Sequence, residues 1–173
     1  MDVYETATTK LDVREFASRK VPADIKSKIL EAARLCQSGN NSQHWRFILV
    51  QDPGNLKTLA NDSAWGKWVE KANFAIIVLT DPKLGYHMID AGRVVQTMEI
   101  VAWGFGVASC VFTGVDRETF FDDFGVPANL DPTIVVGFGY PVRKLLGKKS
   151  RKPLSELASL ERYGNKFDPS TLT

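Results

Sequence analysis

The chain of 173 residues has few of the side chains that build disulfide frameworks or metal sites. It contains two cysteines, Cys36 and Cys110, and two histidines, His44 and His87, which stand far apart. Two cysteines do not make a disulfide framework, and no spacing typical of a metal site is present. We therefore expect no metal, and we expect both thiols to lie in the core as small hydrophobic side chains.

Long hydrophobic runs and a strong charge of one sign are also missing. The apolar run 74–79 is far shorter than the roughly 20 residues of a membrane span. The N-terminus lacks the basic and apolar regions of a signal peptide. The net charge of +2 is too small to indicate binding to nucleic acid or to a membrane surface. We expect a soluble, cytoplasmic protein with neither type of partner.

Several motifs of catalysis and nucleotide binding are absent from the sequence. No Gly-x-Gly-x-x-Gly follows a predicted strand, and there is no phosphate loop ending in Gly-Lys-Ser/Thr. No serine or cysteine lies in a nucleophile-elbow context, and the presence of only two histidines argues against a hydrolytic triad. Without a nucleophile or a metal, the remaining amides, basic groups and apolar surface indicate that a cofactor performs the reaction.

The spacing of apolar residues predicts alternating helices and strands. Helices are predicted over about 2–9, 23–36, 54–61, 64–71, 86–104 and 117–124, and strands over about 45–50, 74–80, 107–112 and 132–139. This alternation is typical of an α/β or α+β layered fold, and no change of composition divides the chain. We expect one domain over residues 1–173. The helix at 86–104 is apolar on more than one face, which predicts burial nearly all round, in the core or against another subunit.

Two segments in the first third of the chain carry side chains suited to a polar, flat ligand. Lys10, Asp12 and Arg14 alternate along an extended segment, so their side chains should point the same way. Ser38, Asn41 and Gln43 offer hydroxyl and amide groups between a predicted helix and a predicted strand. Ordinary surface charge and an ordinary connecting loop are the respective alternatives.

Two later segments could complete such a site. Thr113 and Gly114 follow the strand predicted at 107–112, and strand ends are common ligand sites, although a simple turn fits equally. Lys149 and Arg151 are two residues apart in an extended segment and could clamp a phosphate from one side. They belong to a basic run that also fits a solvated loop: Arg143, Lys144, Lys148, Lys149, Arg151 and Lys152.

Taken in order, these segments resemble those of the FMN-dependent nitroreductase family, of which the chain would be a small member. The resemblance runs from about residue 4 to residue 164. Each motif is weak alone, but five in the family's order are specific. The first two are the segments 10–16 and 37–47, and the third is Asp90-Ala91-Gly92 with Gln96. The fourth is the pair of glycine-rich stretches 104–106 and 137–141, and the fifth comprises Lys149, Arg151 and Pro153.

The resemblance implies an α+β, nitroreductase-like fold with a mainly antiparallel sheet flanked by helices. It also implies a homodimer in which the C-terminal tail packs on the partner and FMN lies at the subunit interface. NAD(P)H would deliver hydride to flavin N5, and a nitroaromatic or quinone-like acceptor would then take its place, in a ping-pong sequence. Flavin-dependent dehalogenation or dehydrogenation, and a flavin-binding module without turnover, are the alternatives.

The resemblance also assigns the charged residues. Lys10, Lys149 and Arg151 would hold the FMN phosphate, and Arg14 would lie near the pyrimidine edge of the flavin. Asp12 stands where the family usually has serine. Because a carboxylate beside a phosphate is repulsive, Asp12 is expected to turn toward the ribityl hydroxyls or toward Arg14.

Polar and backbone groups would complete the implied site. Ser38, Asn41 and Gln43 would bond the ribityl chain and the ring edge, and the backbone of Thr113 and Gly114 would meet flavin N5 and O4. No side chain is expected to act as a catalytic acid or base. His44 replaces the usual proline, and Thr113 stands where some members carry glutamate. The segment 81–90 is short where larger members insert a helical excursion, so a more open pocket is expected.

Overall fold

The computed structural model describes residues 2–143 and 149–172, in which six helices and four strands form. The helices are α1 (Val3–Thr9), α2 (Ala23–Arg34), α3 (Pro53–Asn61), α4 (His87–Gly104), α5 (Arg117–Asp123) and α6 (Leu154–Leu157). The strands are β1 (Arg46–Val50), β2 (Phe74–Thr80), β3 (Ala108–Phe112) and β4 (Asp131–Gly139). Short 3-10 helices form at Gly39–Asn41, Lys67–Lys71 and Pro169–Thr171. Lys144 and Lys148 of the predicted basic run lie outside the described residues.

The four strands form one antiparallel sheet in the order β1-β2-β4-β3. Strand β2 lies inside the sheet, between β1 and β4, and all seven of its residues are buried. This burial explains the uninterrupted apolar run at 74–79, because a strand covered on both faces has no solvent side to carry polar residues. The predicted α+β fold with an antiparallel sheet is confirmed.

Side chains of β2 alternate between two hydrophobic cores, one on each face of the sheet. Phe74, Ile76 and Val78 pack with residues of α2 and α4. Ile77 and Leu79 pack on the opposite face with residues of α3 and α5. The period of two in a strand therefore divides the apolar residues between two helical layers. The fold has three layers, with the sheet in the middle.

Three details differ from the sequence-based expectations. The segment predicted as a helix at 64–71 contains only a 3-10 helix, Lys67–Lys71. Cys110 is buried as expected, whereas Cys36 lies beyond the end of α2 and is only half-buried. Helix α4 is not buried all round in the single chain, because Met88 and Ile89 are exposed. That a partner covers this face remains a prediction.

The C-terminal segment 149–172 contributes no residue to either core cluster. Its apolar side chains Leu154, Leu157 and Tyr163 are exposed. The expected packing of this tail on a partner subunit remains a prediction. Within residues 2–143 and 149–172, no helix has the length and apolar character needed to cross a membrane.

The close packing of the sheet generates a first testable prediction at Gly137 of β4. A Cβ atom there would lie 2.6 Å from Cζ3 of Trp68 and 3.2 Å from Cγ2 of Val69. Because the half-buried indole is packed against the core and cannot move away freely, we expect Gly137→Ala to lower the free energy of unfolding by about 1–3 kcal/mol. Urea denaturation measures this loss.

Gly85 provides the matched control, since a Cβ atom there would have no other atom within 4 Å. Gly85→Ala should change the free energy of unfolding by no more than about 0.5 kcal/mol. Equal effects of the two substitutions would show that the contact between Gly137 and Trp68 does not limit the packing.

Candidate functional site

The segment after α1 is anchored along β3, which is an edge strand of the sheet. Lys10 caps α1 by donating its backbone N–H to Thr6 O at 3.2 Å. Further on, the backbone N–H of Val13 donates to Ser109 O at 2.9 Å, and Asp12 pairs with Ser109 in a parallel bridge. These contacts place the side chains of Lys10 and Asp12 between β3 and α4.

A buried charge network holds Lys10 in place. Its Nζ donates to Glu99 Oε1 at 2.6 Å and to Asp12 Oδ1 at 2.5 Å, and Ser109 Oγ donates to the same glutamate oxygen at 2.8 Å. Lys10 is 9% exposed and Glu99 is 5% exposed. Burial lowers the pKa of Lys10, but its hydrogen bonds and charge interactions with the two carboxylates more than offset this, so the pKa is raised. The ammonium therefore stays charged and retains one N–H donor for a ligand.

Basic residues from distant parts of the sequence converge beside this network. A pocket of about 280 Å³ is lined by Lys10, Asp12, Lys149 and Arg151, together with Ala7, Leu11, Gln96, Glu99 and Val111. We call it the phosphate pocket. Among the described residues, neither Lys149 nor Arg151 forms an ion pair with a carboxylate. Three cations against two carboxylates leave a net positive lining. Arg151 donates one N–H from Nη1 to Ser150 O at 2.7 Å, and its remaining N–H groups, with the ammonium of Lys149, suit a small anion.

Arg14 lies close by but faces a different pocket. Its Nε donates to Cys110 Sγ at 3.4 Å. The second pocket, of about 370 Å³, is lined by Arg14 and shares Asp12 with the phosphate pocket. Asp12 Oδ1 bonds to Lys10, and the charge of Asp12 also interacts favourably with Arg14, while the expected turn toward the ribityl hydroxyls remains a prediction. The buried Lys10 ammonium draws the carboxylate more strongly than an exposed guanidinium would.

Thr113 and Gly114 follow β3 at the mouth of a third pocket. Gly114 has φ +78°, a left-handed conformation that glycine adopts without steric cost. It lines a cavity of about 490 Å³ with Trp65, which is 78% exposed, while Thr113 is exposed beside the lining. Gly114 comes three residues after Val111 of the phosphate pocket, a distance of about 10 Å along an extended chain. One ligand with an anionic end and a flat end could therefore reach both pockets.

The third pocket also contains a buried carboxyl group that the sequence analysis missed. Asp62 is 6% exposed; its Oδ1 accepts from Thr119 Oγ1 at 2.8 Å, and its Oδ2 has no partner among the described residues. Burial raises the pKa of Asp62, the Thr119 hydrogen bond opposes this, and the nearby Asp123 and Asp116 raise it further. Since Asp62 follows the end of α3, its position in the sequence suggests only an ordinary helix end.

The loop that carries Ser38, Asn41 and Gln43 is fastened to the start of α4 by Asp90. The buried Asp90 Oδ2 accepts from the backbone N–H of Gly39 at 2.8 Å and lies 3.2 Å from His44 Nε2. Asp81 donates its backbone N–H to His44 Nδ1 at 3.3 Å, so Nε2 carries the proton that bonds to Asp90. His44, which stands where the family usually has proline, thus ties the loop to the helix.

The backbone of this loop is held in an unfavourable conformation. Asn40, Asn41 and Gln43 have φ values of 52°, 52° and 47°, in the left-handed region, which asparagine adopts more readily than other non-glycine residues but glutamine adopts at a cost. The N–H of Gln43 donates to Ser38 Oγ at 3.0 Å, which stabilises the turn. Backbone strain of this kind concentrates at ligand sites. The side chains of Asn41 and Gln43 are exposed.

Within one chain, the loop and the phosphate pocket remain apart. Asp90 and Glu99 are nine residues apart on α4, which corresponds to about 13 Å along the helix axis. The three pockets around Lys10, Arg14 and Gly114 contain none of Ser38, Asn41 and Gln43. The structure therefore brings Lys10, Asp12, Lys149 and Arg151 together but leaves the amide-bearing residues on a separate surface.

Glu99 and Gln96 line the phosphate pocket, although the sequence analysis did not select Glu99. The sequence nevertheless contains a pattern that points to Glu99. Glu99 follows Ala91 and Val95 at intervals of four, on the apolar stripe of α4, where a carboxylate needs a buried cation. The pattern does not identify the cation that pairs with Glu99, because this depends on which segment of the chain packs against α4.

The buried pair generates a second prediction, that Glu99→Gln destabilises the protein. Lys10 would stay charged in a buried position with only Asp12 as its counter-charge. We expect a loss of about 2 kcal/mol in the free energy of unfolding at pH 7, since a buried ion that loses a partner is not resolvated. Glu31→Gln is the matched control, because the exposed pair of Glu31 with Arg34 has the same 2.6 Å separation. It should cost less than about 1 kcal/mol.

The pH dependence follows from the raised pKa of Lys10. A raised lysine pKa in the folded state stabilises the protein below the ordinary value of about 10.4, and this contribution is lost as the pH rises through the folded-state value. The difference between wild type and Glu99→Gln should therefore shrink above about pH 10.4. A difference that stays constant up to pH 11 would indicate that packing and not charge accounts for it.

Comparison with known proteins places these features in a family. The model of the nitroreductase family matches residues 8–82 and 66–140. A protein from Methanothermobacter thermautotrophicus, provisionally named NADH dehydrogenase/NAD(P)H nitroreductase, is 32% identical over 150 residues, which cover 82% of this chain and 78% of that protein. An iodotyrosine deiodinase from Thermotoga neapolitana is 22% identical, over 80% of this chain and 88% of its own length.

A solved structure shares the fold. The FMN-dependent nitroreductase of Clostridium difficile R20291 superposes with a TM-score of 0.84 at 19% identity, covering 92% of this chain and 99% of its own. The two ranges matched by the family model together contain all four strands of the sheet, and the match to the relative from Methanothermobacter spans most of the chain. The chain therefore belongs to the nitroreductase family.

Proposed function

We propose that the chain is an FMN-dependent oxidoreductase that uses NAD(P)H to reduce nitroaromatic or quinone-like acceptors. In this proposal residues 1–173 form one FMN-binding domain, and two copies assemble into a cytoplasmic homodimer. The observation that carries the proposal is the phosphate pocket, where Lys10 meets Lys149 and Arg151. The free thiols of Cys36 and Cys110 are those expected in a reducing compartment.

The donor set of the phosphate pocket fits the anionic end of FMN. Lys149 and Arg151 have no carboxylate partner among the described residues, and Lys10 keeps one N–H donor free. Each charge-assisted hydrogen bond contributes about 1.5–3 kcal/mol. When bound, FMN would supply the redox chemistry, accepting hydride from NAD(P)H and passing electrons to the acceptor.

The chain's own residues would orient the ring and admit the acceptor. Arg14, held by Cys110, would present a fixed cation to the pyrimidine edge, where such a charge favours reduction. Gly114, in its left-handed conformation, would bring backbone close to the opposite edge of the ring. The connection from β2 to α4 is a short turn, and Trp65 remains exposed beside Gly114. Acceptors would therefore reach the site directly from solvent.

A second copy of the chain would complete the site. Ser38, Asn41 and Gln43 do not line the phosphate pocket of their own chain. In the proposed dimer they reach the partner's site. Exposed apolar residues on α4 and on the tail supply surface for such an interface: Met88, Ile89, Leu154, Leu157 and Tyr163.

Anaerobic reduction tests the proposed function. Purified protein reconstituted with FMN should be yellow and should bleach when NADH or NADPH is added, and a nitroaromatic or a quinone should restore the colour. Both nucleotides are compared, because the residues of the site do not distinguish them. Protein that stays colourless and does not take up FMN would rule the proposal out.

An acceptor panel separates the alternatives within the same experiment. The likeness to a deiodinase from Thermotoga neapolitana favours including an iodinated tyrosine. Turnover of that compound alone, with none of the nitroaromatics, would replace nitroreduction by reductive dehalogenation. Bleaching without turnover of any acceptor would favour a flavin-binding module.

The phosphate pocket yields a further prediction for the double substitution Lys149→Gln and Arg151→Gln. Loss of two charge-assisted bonds should weaken FMN binding by about 100-fold or more. Riboflavin, which lacks the phosphate, should bind as before. Quenching of flavin fluorescence in titrations measures both affinities.

Lys57→Gln with Lys71→Gln is the matched control, because these exposed lysines lie on α3 and on the adjacent 3-10 helix, outside the three pockets. This variant should retain the wild-type affinity for FMN. Unchanged FMN binding after the double substitution of Lys149 and Arg151 would show that these residues do not hold the phosphate.

A further inference from the structure

We propose that Asp12 competes with the cofactor phosphate for Lys10, so that FMN is bound reversibly and with a reduced preference over riboflavin. This inference rests on the proposed function, since it concerns how the phosphate pocket would hold FMN. It assigns a role to Asp12, the more exposed of the two carboxylates that line this pocket.

The two carboxylates are not equivalent. Glu99 is 5% exposed on α4 and accepts a second hydrogen bond from Ser109. Moving Glu99 away from Lys10 would therefore also break its hydrogen bond to Ser109. The side chain of Asp12 is 64% exposed and stands on the solvent side of the same ammonium. A ligand entering from solvent meets Asp12 first. Asp12 is therefore the partner of Lys10 that an incoming anion can displace.

Asp12 occupies a donor that a phosphate oxygen would use. The Nζ of Lys10 has three N–H groups, and one of them is directed to Asp12 Oδ1 at 2.5 Å. An ionised carboxylate offers no donor in return, whereas a serine hydroxyl would donate to a phosphate. Binding of a phosphate thus requires Asp12 either to give up its bond to Lys10 or to remain as a like charge beside the ligand.

The charge balance of the phosphate pocket also indicates that Asp12 weakens phosphate binding. Three cations, Lys10, Lys149 and Arg151, face the two carboxylates of Asp12 and Glu99. The lining is therefore only singly positive, while a phosphate monoester carries about −1.5 to −2 charges near neutral pH. Removing the charge of Asp12 would leave a doubly positive lining that matches the ligand.

The side chain of Asp12 can be substituted without removing the backbone contacts of its segment. The segment is attached to β3 by the bridge between Asp12 and Ser109 and by the hydrogen bond from Val13, both of which are backbone contacts. Asp12→Asn keeps the shape of the side chain and removes its charge. Asp12→Ser supplies the smaller hydroxyl. Both variants keep the buried pair of Lys10 with Glu99.

Binding titrations of the apoprotein test the proposal with three probes: FMN, riboflavin and inorganic phosphate. We expect Asp12→Asn to bind FMN and inorganic phosphate about tenfold more tightly than wild type, equivalent to about 1.4 kcal/mol. The affinity for riboflavin should not change. The ratio of the FMN and riboflavin affinities therefore rises about tenfold, and Asp12→Ser should raise it in the same direction.

Asp24→Asn is the matched control, because it removes the same charge from an exposed position on α2, where Asp24 pairs only with Lys28 among the described residues. It should leave all three affinities unchanged. A circular dichroism spectrum and a urea unfolding curve for each variant establish that it is folded. Asp12→Ser provides a second folded variant should Asp12→Asn be unstable.

The outcomes are distinct. Tighter FMN binding in the Asp12 variants, without tighter riboflavin binding, supports the proposal. If wild type binds FMN but folded Asp12 variants bind it equally or more weakly, the proposal is overturned and the proposed function stands. An equal gain for riboflavin also overturns it, because the effect then does not act through the phosphate. Wild type that binds none of the three probes overturns both.

Discussion

The ion pair between Lys10 and Glu99 connects three parts of the molecule that the sequence keeps far apart. Glu99 lies on the buried side of α4, and a carboxylate in that position needs a cation and further hydrogen bonds. Lys10 supplies the cation and Ser109 of β3 supplies a hydroxyl. The N-terminal segment is thereby attached to a helix and a strand at once. The phosphate pocket depends on this attachment as much as on its exposed basic residues.

Helix α4 carries a second buried carboxylate, and the two together organise both candidate binding surfaces. Asp90 holds the loop with Asn41 and Gln43, while Glu99 holds Lys10. Because a helix is stiff, the loop and the pocket keep a constant separation within one chain. A shared ligand therefore needs either a long reach or a second copy of the chain, and the proposed dimer provides the second copy.

Much of this arrangement could be predicted from the sequence, because the relevant signals are local or follow the family's order. The burial of β2 follows from its apolar run, and the meeting of Lys10 with Lys149 and Arg151 was expected from the resemblance. The partners of Asp12 and Glu99 could not be predicted in this way. Periodicity shows that Glu99 lies on a buried face, but only the packed chain shows which cation reaches it and that Asp12 turns to the same one.

The 3-10 helix at Lys67–Lys71 illustrates the same limit in the fold. The sequence there permits an α-helix, but the backbone at Gly66 lies so close to Phe112 that a Cβ atom would be 2.6 Å from its ring. Close packing of this kind is one of the ways in which tertiary contacts outweigh local propensity. Such contacts involve residues far apart in the sequence, which window-based patterns do not include.

The position of Lys149 and Arg151 after the last strand has a consequence for biosynthesis. Chains emerge from the ribosome N-terminal end first, and these two residues follow every strand of the sheet. The phosphate pocket can therefore form only after all the segments of the sheet have been translated. The cofactor would accordingly bind late in the maturation of the protein.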